Sequence, residues 1–131
     1  MHQMTPEKYK VAISACQSCV NICNTCSDDM IGMESHDNQE LMASCIRLCR
    51  ECADICSLAV SWMSRSSLLS KQICRVCAEV CNACAEACEQ HAPYHKLCGP
   101  CAEECRRCTA VCMEMAGAAQ SESRDRPQHA A

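Results

Sequence analysis

The chain has 131 residues and a formal net charge of −4, enough for one domain with a four-element core and too short for two ordinary domains. The charge is spread without a basic block, which excludes the usual nucleic-acid-binding surface, and no stretch approaches the roughly 18 to 20 apolar residues of a membrane span. Eighteen cysteines, no Phe, one Trp and two Tyr mean that the usual bulky core residues are scarce.

Many cysteines in a small chain can indicate a disulfide scaffold of a secreted protein. Residues 1–7 hold no basic segment followed by an apolar one, so we expect no secretion signal and a reducing, cytoplasmic environment. Disulfides between cysteines three or four residues apart would close only short rings, which stabilise little. We therefore expect free thiols.

The first two predicted helices carry start signals. Thr5, followed by proline and an acid, predicts a helix over residues 6–31, with Gly32 as a left-handed stop. Asp37, with an acid three residues later, has the pattern of a capping box and predicts a second helix over residues 38–64.

A short polar break precedes the third predicted helix. Ser66 or Ser67 is the expected cap of a helix over residues 68–91. Pro93 ends this helix, because the residue before a proline avoids the α region.

The fourth predicted helix begins near residues 94–96 and runs to residue 116, with Gly117 as its stop. Gly99 and Pro100 conflict with this start, because proline is tolerated only in the first helical turn. Either the helix begins at this pair or it is kinked there.

Cysteine recurs at steps of three and four residues in all four predicted helices. The longest runs, at 74–88 and 98–112, follow steps of 3, 4, 3 and 4. Residues at this spacing share one helix face, so each run predicts a stripe of thiols where a bundle normally carries leucine and isoleucine. The predicted metal ligands are Cys16, Cys19, Cys23, Cys26, Cys45, Cys49, Cys52, Cys56, Cys74, Cys77, Cys81, Cys84, Cys88, Cys98, Cys101, Cys105, Cys108 and Cys112.

Four helices with short connections predict an all-α fold, namely an antiparallel up-down-up-down four-helix bundle with a thiol-lined core. We expect the bundle to occupy residues 1–117. Residues 118–131 are polar and lack an apolar period, which predicts a disordered tail.

Two interpretations that involve no metal explain the cysteine pattern poorly. Cysteine as simple core filler is disfavoured, because leucine or valine would bury more apolar area per residue. A thiol–disulfide enzyme needs an accessible cysteine of low pKa, whereas these cysteines lie on inward stripes. We therefore expect no enzyme.

Metal binding explains the pattern best. Ligand sets made only of thiolates select Cu(I), Zn(II) or iron–sulfur clusters, and the usual cluster spacings are absent. Tetrathiolate zinc sites would each leave two excess negative charges in the core. One Cu(I) per thiolate leaves the core neutral, which predicts on the order of 18 ions per chain. Zinc binding or general detoxification of soft metals is the alternative.

The repeated cysteine helices, and especially HAPYHKLCGPCAEECRRC at 91–108, resemble the bacterial copper storage proteins of the cytosolic branch. The resemblance covers about residues 6–116. It implies a four-helix bundle that holds many Cu(I) ions by cysteine, and a homotetramer. Copper ions are the expected ligands, with a copper chaperone or a small thiol as donor, and with neither nucleic acid nor membrane as partner.

The two ends of the predicted bundle differ. At one end, which we call the plug end, the seam continues as Tyr9, Ala12, Ala59, Met63, Ser70 and Met115. At the other, which we call the mouth end, soft thioethers and imidazoles adjoin the last thiols, and we interpret them as residues through which metal is taken up: Met30, Met33, His36, Met42, His91 and His95. The alternative is that the methionines are filler and that the histidines are merely solvated.

Overall fold

The computed structural model describes residues 7–33 and 39–125. The described residues form four α-helices and one short 3₁₀ turn at Ala92–Tyr94, and the helices are α1 (Glu7–Ile31), α2 (Gln39–Ser64), α3 (Ser70–His91) and α4 (Cys98–Asp125). The first three helices match the predicted bounds to within two residues. The predicted caps Thr5 and Asp37 lie outside the described residues.

The four helices close into a ring around one core. Each helix packs on the next one in the chain, and α4 packs back on α1. Neighbouring helices are antiparallel: Cys45 of α2 meets Cys88 of α3, whereas Cys56, further along α2, meets Cys77, which comes earlier in α3. The predicted up-down-up-down four-helix bundle is therefore confirmed. Among the described residues, no helix combines the length and apolarity needed to cross a membrane.

The core of this bundle is made mainly of cysteine and alanine. All 18 cysteines are fully buried, and the alanines beside them, such as Ala15 and Ala85, are buried as well. Larger aliphatic side chains, including Ile13 and Val20, lie half-buried at the margins of the stripes. Small residues allow the helices to approach closely, and this brings the thiols of different helices together.

The predicted stop of α1 and the predicted cap of α3 are both wrong. Gly32 is not left-handed, since no glycine among the described residues has a positive φ. Its N–H instead donates to the carbonyls of Asp28 and Asp29, so α1 ends in an ordinary turn without reversing its backbone. Neither Ser66 nor Ser67 caps α3: the Ser67 hydroxyl accepts the Leu69 N–H at 3.0 Å, and the helix begins at the next residue.

The bounds of α4 also correct the prediction. The helix begins at Cys98, whose N–H donates to the carbonyl of His95, so Pro100 falls in the first turn, where no backbone donor is needed. The start at the Gly–Pro pair is thus confirmed and the start at 94–96 is wrong. Gly117 does not stop the helix, which runs to Asp125, because a helical glycine costs only about 1 kcal/mol. Residues 118–125, which were predicted to begin a disordered tail, belong to this helix. Residues 126–131 lie outside the described residues.

Candidate metal centre

Every predicted cysteine ligand faces the interior. All 18 are free thiols with 0% exposure, as the spacing of three and four residues predicted. Each helix contributes its own stripe, because this spacing keeps the side chains on one face over several turns. The expectation of free thiols is confirmed.

Sulfur atoms of different helices lie 3.3 to 4.0 Å apart along the core. Among neighbouring helices, Cys19 and Cys52 approach to 3.4 Å, and so do Cys52 and Cys81. Diagonal pairs also meet, since Cys16 and Cys77 of opposite helices are 4.0 Å apart. Within a helix, the closest pairs are four residues apart and reach 3.9 Å. The interior is therefore a single narrow column of sulfur.

The thiols form overlapping groups of four, in each of which all sulfur atoms lie within 4.8 Å of one another. One group, for example, contains Cys19, Cys23, Cys52 and Cys105, and the next contains Cys23, Cys84, Cys101 and Cys105. Several thiols belong to two such groups, namely Cys19, Cys23, Cys52, Cys84, Cys101 and Cys105. Two groups that share a thiol can both hold an ion only if that thiolate bridges the two ions, whereas separate four-ligand sites need no bridging thiolate.

The sulfur distances suit a small soft cation. Zinc–thiolate bonds are about 2.3 Å long, and three sulfur atoms around one ion at that distance lie about 4 Å apart. The column therefore needs little rearrangement to bind a cation of this size between any two or three adjacent thiols.

Hydrogen bonds between thiols set their ionisation. Thiol donors, Cys105 foremost, hold the pKa of Cys19 below its ordinary value. Hydrogen bonding, first with Cys101, raises the pKa of Cys23, because this thiol acts as a donor. A Cys19 thiolate is thus stabilised by neighbours that remain protonated. Ionising those neighbours as well would place like charges less than 4 Å apart, unless cations replace the protons.

At the mouth end, two histidines converge on one thiol. His91 Nδ1 lies 3.2 Å and His95 Nδ1 lies 3.3 Å from the Sγ atom of Cys98. His95 Nε2 lies 2.6 Å from the Asp29 carboxylate, which orients the ring so that Nδ1 faces the sulfur. A histidine fixed by a carboxylate is the usual arrangement at metal ligands. Sequence reasoning missed Asp29, although its place at the end of α1 beside the mouth was the available signal.

The remaining predicted mouth residues lie around this cluster. Met30 is fully buried, whereas Met33 and Met42 are half-buried against the core. His36 lies outside the described residues. His91 and His95 are also buried, so the alternative of solvated histidines is wrong for these two.

At the plug end, Ala12, Ala59, Met63, Ser70 and Met115 are buried and Tyr9 is half-buried, so these residues close the column. Here Cys74 lies against a thioether, with 3.6 Å between its Sγ and the Sδ atom of Met63. The two ends therefore differ chemically, with imidazole and carboxylate groups at one and mainly apolar side chains at the other.

Known proteins share this architecture. A family model described as copper storage protein matches residues 5–117. The cysteine-rich protein YhjQ of Bacillus subtilis strain 168 is 41% identical over 90 residues, which cover 68% of this chain and 81% of the relative.

Two solved structures extend the comparison. The Bacillus copper storage protein BsCsp3 in its Cu(I)-bound form is 39% identical with a TM-score of 0.77, covering 84% of this chain and 99% of its own. A cytosolic copper storage protein of Streptomyces lividans, loaded with five coppers, is 31% identical with a TM-score of 0.76, covering 85% and 93%. Matched along nearly the whole bundle, the chain belongs to the copper storage protein family.

Proposed function

We propose that this protein stores and sequesters many Cu(I) ions by cysteine thiolates inside the bundle. The observation that carries the proposal is the continuous column of buried thiols whose groups share members. Relatives of the same architecture are described as Cu(I)-bound or copper-loaded, which supports the choice of metal.

Charge balance sets the expected capacity. Each Cu(I) neutralises one thiolate, so 18 cysteines call for on the order of 18 ions per chain. Zinc would need four thiolates per ion and would leave net negative charge in a closed core. The overlapping groups favour Cu(I), because a bridging thiolate can serve two ions at once.

Copper uptake is proposed to begin at the mouth end. Cys98 is in contact with His91 and His95, and it also lies 3.8 Å from both Cys26 and Cys45. An ion first held by imidazole nitrogen and this thiol can pass to the next thiols over less than 4 Å. Buried Met30 and half-buried Met33 and Met42 offer further soft ligands beside them.

The cellular setting is part of the proposal. We propose a cytosolic, non-enzymatic protein that receives copper from a chaperone or a small thiol, in keeping with a relative described as cytosolic. We also propose a homotetramer, for which exposed aliphatic residues such as Leu58 and Val76 provide apolar surface. Light scattering on the purified protein measures the oligomeric state, and a monomer would contradict the tetramer.

Anaerobic titration of the reduced apoprotein against a chromophoric Cu(I) chelator tests the storage function. We expect saturation near one ion per cysteine, whereas saturation at four or five ions would refute the column as a store. A parallel titration starts from protein loaded with zinc. Cu(I) should displace the zinc, and retention of zinc would favour the alternative of soft-metal detoxification.

A further inference from the structure

One sulfur–sulfur contact in the core joins a thiol to a thioether. The Cys74 thiol, in the first turns of α3, donates to the Sδ atom of Met63, near the end of α2, with 3.6 Å between the two sulfur atoms. Both side chains are fully buried at the plug end. From sequence, Met63 is only a seam residue that fills space.

The geometry of this contact matches that of the thiol pairs. Its 3.6 Å falls within the range found between thiols of different helices. Two sulfur atoms 3.6 Å apart and each about 2.3 Å from one ion subtend an angle of about 100°, which leaves room for a third ligand. Filler needs only volume at this position, whereas here the sulfur atom itself faces the thiol.

A third ligand can come from the adjoining thiols. Cys77 follows Cys74 by three residues, so the two side chains share one face of α3. Cys77 belongs to a group of four with Cys16, Cys108 and Cys112. A site at Cys74 therefore adjoins the thiol column.

The chemistry of the ligands selects the ion. A thioether is soft, neutral and never protonated, so it suits Cu(I) and adds no charge to the core. Zinc is usually bound by thiolate, imidazole and carboxylate instead. The hydroxyl of Ser70, one helical turn before Cys74, is buried without a hydrogen-bond partner and can donate to a thiolate.

Building on the storage function proposed above, we infer that Met63 and Cys74 bind a Cu(I) ion at the plug end, with Met63 as a thioether ligand. Copper binding thus extends past the thiols into the end that the sequence marks as closed.

Native mass spectrometry counts bound ions as integers and tests the site directly. Wild type and Met63→Leu are loaded with Cu(I) and challenged with a competing Cu(I) chelator. Met113→Leu is the matched control, because Met113 lies on the surface of α4 with 59% exposure. We expect Met63→Leu to retain one ion fewer than wild type and Met113→Leu to retain the same number. Equal retention by wild type and Met63→Leu overturns the inference.

A second measurement uses the unaltered chain, should Met63→Leu fold poorly. Cu(I) is diamagnetic, so methionine methyl groups labelled with carbon-13 stay visible by NMR during loading. We expect the Met63 methyl resonance to move on loading and the Met113 resonance to stay in place. A Met63 resonance that does not move overturns the inference.

The two proposals fail in different ways. If wild type binds only a few ions, the storage function itself is wrong. If wild type fills its thiols but Met63→Leu matches it, only the plug-end site is wrong.

Discussion

Replacing one shared thiol gives the sharpest test of the bridged column. Cys105 is the central cysteine of the α4 stripe, with its sulfur 3.6 Å from Cys19, 3.7 Å from Cys23 and 4.0 Å from Cys52. It belongs to two of the four-thiol groups. Cys105→Ala therefore removes one negative charge and one bridge without introducing a new polar group.

The expected loss of capacity follows from charge balance. One thiolate fewer means one Cu(I) fewer. If the missing thiol bridged two ions, its removal can release at most both of them. We expect Cys105→Ala to bind one or two ions fewer than wild type by native mass spectrometry. No loss, or a loss of three or more ions, would refute the reasoning.

Cys105→Ala should also slightly lower the free energy of unfolding of the apoprotein. Removing one buried atom resembles an isoleucine-to-valine change, which costs about 0.5 to 1.5 kcal/mol. For a chain of this size, that lowers Tm by about 2 to 6 °C. Ile73→Val, in the same core but without sulfur, is the matched control: it should lose similar stability and no copper capacity.

Three further predictions address charge, uptake and helix stability. Because metal replaces thiol protons, each Cu(I) should release about one proton, measured with a pH indicator in weak buffer, whereas four protons per ion would indicate tetrathiolate sites. Asp29→Ala frees the His95 ring, so copper uptake in stopped flow should slow about tenfold at unchanged capacity, with Asp28→Ala as the control; equal rates would contradict the role of Asp29. Gly117→Ala places a methyl group in open space on α4 and should stabilise the protein by about 0.5 to 1 kcal/mol in urea unfolding, while a destabilised variant would argue against a helical Gly117.

Some details of the helix ends could not be predicted from local signals. Gly32 and Gly117 are both typical stop residues, yet neither adopts the left-handed conformation. The preference of glycine amounts to about 1 kcal/mol, and the hydrogen bonds and packing around each residue outweigh it. Pro100 was more informative, because the missing N–H restricts where a helix can begin whatever its surroundings.

The sequence by itself determined which side chains line the core. Steps of three and four residues place Cys98, Cys101, Cys105 and their counterparts on one face of each helix, and this periodicity is a local property of the α-helix. It therefore predicted the bundle, the buried thiols and the soft-metal chemistry before any contact was known.

Only the tertiary structure decided which thiols meet and what adjoins them. Cys19 contacts Cys105 across 86 residues of sequence, and Asp29 reaches His95 across 66. The contact of Met63 with Cys74 depends in the same way on how far α2 and α3 slide past each other. That register is set by the packing of all four helices together, so no single stretch of sequence contains it.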